Sequence, residues 1–137
     1  MRNQVLSIEQ MQKLKELGVD INKASMCYIS KYPSCDFDDG DSIVVVSKDF
    51  NKRLYNEFGP AFTLQDIIEL LPKTFMDDIN KFHLTISTVY GASIYIVGYV
   101  YDEDVSIDKK YFCNESIINA AYDMLIWIIE NGYLKTK

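Results

Sequence analysis

A chain of 137 residues, 48% hydrophobic and 25% charged, is long enough to bury a real core as one domain and needs neither a disulfide nor a metal to fold. Its net charge of −6 opposes a phosphate-gripping surface, so nucleic acid is not an expected partner. Three cysteines (Cys27, Cys35 and Cys113) without CxxC spacing, no apolar run of ~18 residues and no signal-peptide core in MRNQVLSIEQ predict a cytoplasmic protein with no membrane span and no disulfide framework.

In chain order, a first helix is expected from Ile8 to Leu17. Ser7 is its N-cap, Gln10 completes a capping box, Ile8, Met11, Leu14 and Leu17 form the apolar stripe, and Gly18 is the stop. MCYISKY and SIVVVS (42–47) then read as strands of a hairpin, with Asp39-Gly40 as its turn. Residues 48–60 carry no clear period, and Gly59-Pro60 reads as a turn. FTLQDIIELLPK reads as a second helix: Thr63 is the N-cap, Asp66 sits at the positive end, Leu64, Ile67, Ile68 and Leu71 form the stripe, and Pro72 forces the stop.

A second hairpin follows. In FHLTIS, Phe82, Leu84 and Ile86 alternate with His83, Thr85 and Ser87; in IYIVGYVY, Tyr95, Val97, Tyr99 and Tyr101 share one face. DEDVSIDKK reads as a polar connector. The last helix, Ser116 to Asn131, is apolar almost all the way round: Ile117, Ile118, Ala121, Met124, Leu125 and Ile128 centre one face, and Ile126 interrupts the polar strip of Asn119, Asp123 and Glu130. Such a helix is the centre of a core, or a partner covers it. The expected fold is therefore a single α+β domain over 1–137, of order αββαββα. Two antiparallel hairpins make one sheet of about four strands, with three helices packed on one side. Segregated helices and strand pairs with short turns favour this over a parallel sheet, which needs strand–helix–strand crossovers.

Three segments, Leu6 to Tyr28, Phe62 to Lys73 and Ile118 to Lys137, together resemble a family of small uncharacterised proteins of gut anaerobic bacteria and their prophages. The resemblance implies a cytoplasmic protein of bacterial or phage origin. It carries no activity, cofactor or catalytic residue to these positions.

The residues themselves offer little chemistry. The acidic loop CDFDDGD fails as a calcium loop: with Gly40 sixth, Cys35 and Phe37 occupy ligand positions one and three, and Val46 stands where a bidentate Glu is needed. His83 is the only histidine, so sites needing two are excluded, and a dyad would have to pair it with Cys27, Cys35 or Cys113 across the fold. Carboxylate pairs such as Glu57 and Glu69, or Asp77 and Asp78, are unremarkable among twenty acids. No Walker loop or GxGxxG is present, and no metal or cofactor is expected. The ten tyrosines stand out: Tyr95, Tyr99 and Tyr101 on one strand face are either binding material or packing.

The leading function class is a non-enzymatic binding or adaptor protein. Its candidate contact residues are Tyr95, Tyr99, Tyr101 and Ile126, and its partner is another protein or a second copy in a weak homodimer. The alternatives are a small enzyme with an unrecognised site using Cys113 or His83, and an acidic anti-defence or nucleic-acid-mimicking phage protein. Against the mimic, the acids look dispersed along the chain.

Overall fold

The computed structural model describes residues 4–31, 43–51, 55–89 and 91–134. The elements are α1 (Ile8–Glu16), β1 (Met26–Lys31), β2 (Ile43–Ser47), β3 (Tyr55–Ala61), α2 (Leu64–Leu70), β4 (Thr74–Met76), β5 (Lys81–Thr88), β6 (Tyr95–Tyr101), β7 (Asp108–Asn114) and α3 (Ile117–Glu130), with a 3-10 turn at Ile21–Lys23. The protein is α+β, and its strands pair antiparallel throughout. The expected alternation of helix and strands holds, but each strand pair is extended. Two sheets stand where one was expected, of order β2-β1-β3 and β4-β5-β6-β7. The chain divides into two compact units, with the break inside α2 between Asp66 and Ile67.

In the first unit, α1 begins with the capping box that its sequence spells. Ser7 Oγ accepts from the Gln10 N–H at 3.1 Å, and Gln10 Oε1 accepts from the Ser7 N–H at 2.9 Å. Met11 and Leu14 are buried, whereas Ile8 is exposed. A three-residue repeat precesses around a 3.6-residue helix, so Ile8 lies about 120° from Leu14. Gly18 closes α1 in a Schellman motif: its N–H bonds Lys15 O, and the Val19 N–H bonds Leu14 O.

β1 is the central strand, flanked by β2 and β3. The hairpin partners β1 and β2 are those the sequence indicates; the Asp39-Gly40 turn lies outside the described residues. Val5, Tyr28, Val45 and Ala61 form a buried cluster, and the Tyr28 hydroxyl donates to Leu6 O at 2.6 Å. Gly59-Pro60 is not a turn. It lies inside β3, where Phe58 is an extra residue opposite the Tyr28/Ile29 step and Gly59 takes φ 140°, a conformation that requires glycine. Pro60 is tolerated because β3 is an edge strand, where its missing N–H costs no ladder bond.

The start of α2 doubles as a clasp. Thr63 Oγ1 accepts from the Asp66 N–H at 3.2 Å, and Asp66 Oδ2 accepts from the Thr63 N–H at 2.9 Å, the Ser25 N–H at 3.0 Å and the Ser25 hydroxyl at 2.8 Å. Burial pushes the carboxyl up, but the hydrogen bonds from Ser25 and Thr63 outweigh it and hold the pKa below 3.8.

The second unit is a meander in chain order, β4 to β7, with α3 packed on β6 and β7. Ile118, Ala120, Ala121, Met124, Leu125 and Ile128 of α3 are buried, the face its periodicity marks. Ser116 caps its start by accepting from the Asn119 N–H, and Gly132 ends it in a second Schellman motif. β4 and β7 escape sequence reading for physical reasons. Three residues are too few to show alternation, and β7 reads DKKYFCN, an edge strand interrupted by a bulge: Tyr99 pairs with Lys110 and Val100 with Asp108, leaving Lys109 unpaired.

Leu125 is wholly enclosed, so Leu125→Ala is expected to lose about 2–5 kcal/mol in reversible denaturation through lost burial and a residual cavity. Asp66→Ala should lose about 1 kcal/mol at neutral pH, the scale of a helix cap. A depressed folded-state pKa stabilises above the unfolded value and is lost as pH falls through the folded one. The gap in melting temperature between wild type and Asp66→Ala should therefore be full above about pH 5 and close on acidification below 3.8.

Candidate functional site

Two turns at one end of the four-stranded sheet carry the most unusual surface of the second unit. The β4–β5 turn, 77–80, is closed by Asp77. Its Oδ1 accepts from the Asn80 N–H at 2.9 Å and the Ile79 N–H at 3.3 Å. The β6–β7 turn, 102–107, is closed by Asp104, whose Oδ1 accepts from the Ser106 hydroxyl at 2.6 Å and N–H at 3.0 Å. These bonds favour the charged forms and lower both carboxyl pKa values, that of Asp77 chiefly through Asn80 and that of Asp104 through Ser106. Aspartates thus shape turns whose apolar residues are exposed: Ile79 is 83% exposed, Val105 67% and Ile107 48%, and Met76 at the end of β4 beside them is 60% exposed.

The turns lie side by side. The Asp102 N–H bonds Lys81 O at 3.0 Å, and Lys109 Nζ reaches Asp77 Oδ2 at 3.5 Å while sitting 5.3 Å above the Phe82 ring. Lys109 is the bulge residue of β7, and a bulge re-aims a side chain in this way.

At the same end, His83 and Asp102 meet. Nδ1 of the imidazole and Oδ1 of the carboxylate are 2.7 Å apart, and Lys81 Nζ stands 3.9 Å from the other carboxylate oxygen. An ionised carboxylate only accepts, so the ring donates from Nδ1, which leaves Nε2 facing away from Asp102. Each side chain is about one-third exposed. The arrangement orients an imidazole, which is half of a base-and-nucleophile pair. Cys113 does not supply the other half. Cys113 pairs with Ile96 and His83 with Val100, so the two are separated by four residues along β6, roughly 13 Å, and by two strand spacings, roughly 10 Å. Cys27 is buried in β1, and Cys35 with the acidic loop around it lies outside the described residues. Among the described residues no three His, Cys, Asp or Glu side chains gather as a metal set.

The tyrosine face is placed differently from the surface the sequence suggests. Tyr95, Val97, Tyr99 and Tyr101 do share a face, but α3 packs on it. Tyr99 is fully buried: its ring meets Phe75 edge-on at 4.8 Å, its hydroxyl donates to Pro72 O at 2.7 Å, and burial raises its phenol pKa. Phe75 also stacks near Trp127 of α3 and against Tyr133, which fixes this side of the sheet as interior. Tyr99 therefore has no exposed surface to offer a partner. Tyr95 and Tyr101 are half-buried, and Tyr101 packs edge-on against Phe82. Ile126 is half-buried on α3 beside Asp123, whose carboxyl burial pushes above its usual range.

The exposed turn residues were missed because a lone Ile or Val inside MDDIN or DEDVSID has no periodicity. The available signal is that such turns require only Asp, Asn or Ser, so an aliphatic side chain there serves no local need. No helix among the described residues is long and apolar enough to cross a membrane. No protein-family model, curated protein or solved structure matches the chain.

A partly exposed hydrogen-bonded pair of imidazole and carboxylate contributes little to stability. A double-mutant cycle of His83→Ala and Asp102→Ala should give a coupling of about 0.2–1 kcal/mol in denaturation; a coupling of several kcal/mol would mark a pair far more shielded from water than this one.

Proposed function

We propose that this chain is a non-enzymatic binding protein whose contact surface is the paired-turn end of the second unit. The observation that carries the reading is the exposure of Ile79 and Val105 at the tips of adjacent turns whose geometry does not need them. Aliphatic side chains held out in water from aspartate-shaped turns cost solubility, and a partner that covers them recovers that cost. The four apolar residues and the His83–Asp102 pair sit at one end of a rigid antiparallel sheet, as a preorganised contact surface does.

The resemblance of Leu6 to Tyr28, Phe62 to Lys73 and Ile118 to Lys137 to small proteins of gut anaerobes and their prophages supports a bacterial or phage adaptor working in the cytoplasm. The catalytic alternative is the weaker one, because the strand register parts Cys113 from His83. Ile126 and the half-buried Tyr95 and Tyr101 are secondary candidates for contact.

A photo-crosslinking side chain at position 79 or 105, in full-length protein made in a bacterial host, is expected to give discrete adducts on denaturing gels. The same side chain at position 88, the far end of β5, should give none. Identical patterns at all three positions, or no adduct at 79 and 105, would overturn the reading.

A further inference from the structure

We infer that the occupant of the paired-turn end is a cationic protein segment carrying apolar anchors; this rests on the docking reading above and names the partner's chemistry. Residues 76–81 and 102–109 hold six carboxylates, at Asp77, Asp78, Asp102, Glu103, Asp104 and Asp108, against Lys81 and Lys109, so these fourteen residues carry −4 of the chain's −6. The meander brings six of the chain's twenty acids, from two segments more than twenty residues apart, to one end of the sheet. Both cations are committed internally, Lys109 to Asp77 and the Phe82 ring, Lys81 toward Asp102. Among the described residues, Asp78, Glu103 and Asp108 are exposed, and their carboxylates make no side-chain hydrogen bond or ion pair.

The turns are centred about two strand spacings, roughly 10 Å, apart, so Ile79 and Val105 fall within the footprint of one ordinary interface of about 800 Å² per partner. Every one of these carboxylates lies within three residues of Ile79 or Val105 along the chain. That combination selects among occupants. A second copy would bring the same −4 against itself. Nucleic acid and anionic lipid surfaces are repelled for the same reason. A segment alternating Lys or Arg with Leu-like residues satisfies both features: its ammonium groups face Asp78, Glu103 and Asp108, and its apolar side chains cover Met76, Ile79, Val105 and Ile107.

The test uses full-length protein and fluorescent peptides of about 18 residues, five helical turns. One has Lys and Leu at amphipathic spacing, one has Lys and Ser, and one has Glu and Leu. The Lys/Leu peptide should bind with an anisotropy change. Its Kd should rise at least about tenfold for both Ile79→Ser/Val105→Ser and Asp78→Asn/Glu103→Gln/Asp108→Asn, and binding should weaken as salt rises. Circular dichroism and melting should match wild type, because none of these side chains is in the core. The inference fails if the Lys/Leu peptide does not bind, if it binds both variants as it binds wild type, or if the Lys/Ser peptide, the Glu/Leu peptide or phosphatidylcholine vesicles bind as well. Adducts at 79 and 105 without Lys/Leu binding would strike out the cationic partner alone; absence of those adducts would strike out the docking surface with it.

Discussion

The second unit depends on α3 lying across β6 and β7. Six of its side chains are buried, and the four large ones, Ile118, Met124, Leu125 and Ile128, each contribute about 1.5–3 kcal/mol. The packing decides which sheet face is interior, and so what the tyrosines are for. Phe75, Phe82, Tyr99 and Tyr101 become an aromatic layer under the helix, with ring centroids 4.8–5.3 Å apart for neighbouring pairs. Pro72 O accepts a hydrogen bond from the Tyr99 hydroxyl, which removes the penalty of burying an unpaired phenol there.

With one face of the meander covered by α3, Tyr99 has no surface for a partner, and the proposed contact lies instead at the turns at the sheet's end. There the bulge at Lys109 swings a cation onto Asp77 and over Phe82, tying the two turns together across the sheet. The turn aspartates are spent on backbone N–H groups, so the turns keep their shape while Ile79 and Val105 stay out in water. Rigid turns presenting apolar tips lose little conformational entropy on contact, which is how a small surface can still bind.

Where local rules decide structure, the sequence was legible. The Ser7–Gln10 box, the Thr63–Asp66 cap, the Gly18 and Gly132 stops, the α3 core face and the pairings of β1 with β2 and β5 with β6 all follow from residues a few positions apart. The elements that were missed share one cause. β3 contains a bulge and a proline, β4 has three residues, and β7 has a bulge and two lysines, so each breaks the period-two pattern that identifies a strand. They are strands because a neighbour's unpaired backbone groups recruit them.

The sequence by itself determined the class of fold, the caps and the helix that anchors the core, because propensity, capping and periodicity act within a few residues. It also restricted the chemistry, since a single histidine and unpaired cysteine spacing limit the sites that can form. Only the tertiary structure decided which face of β6 is interior, that His83 meets Asp102, and that acids and aliphatics from two distant turns share one end of a sheet. Those facts depend on strand order and register, which are set by long-range backbone pairing and by where α3 lands, and no local pattern encodes either.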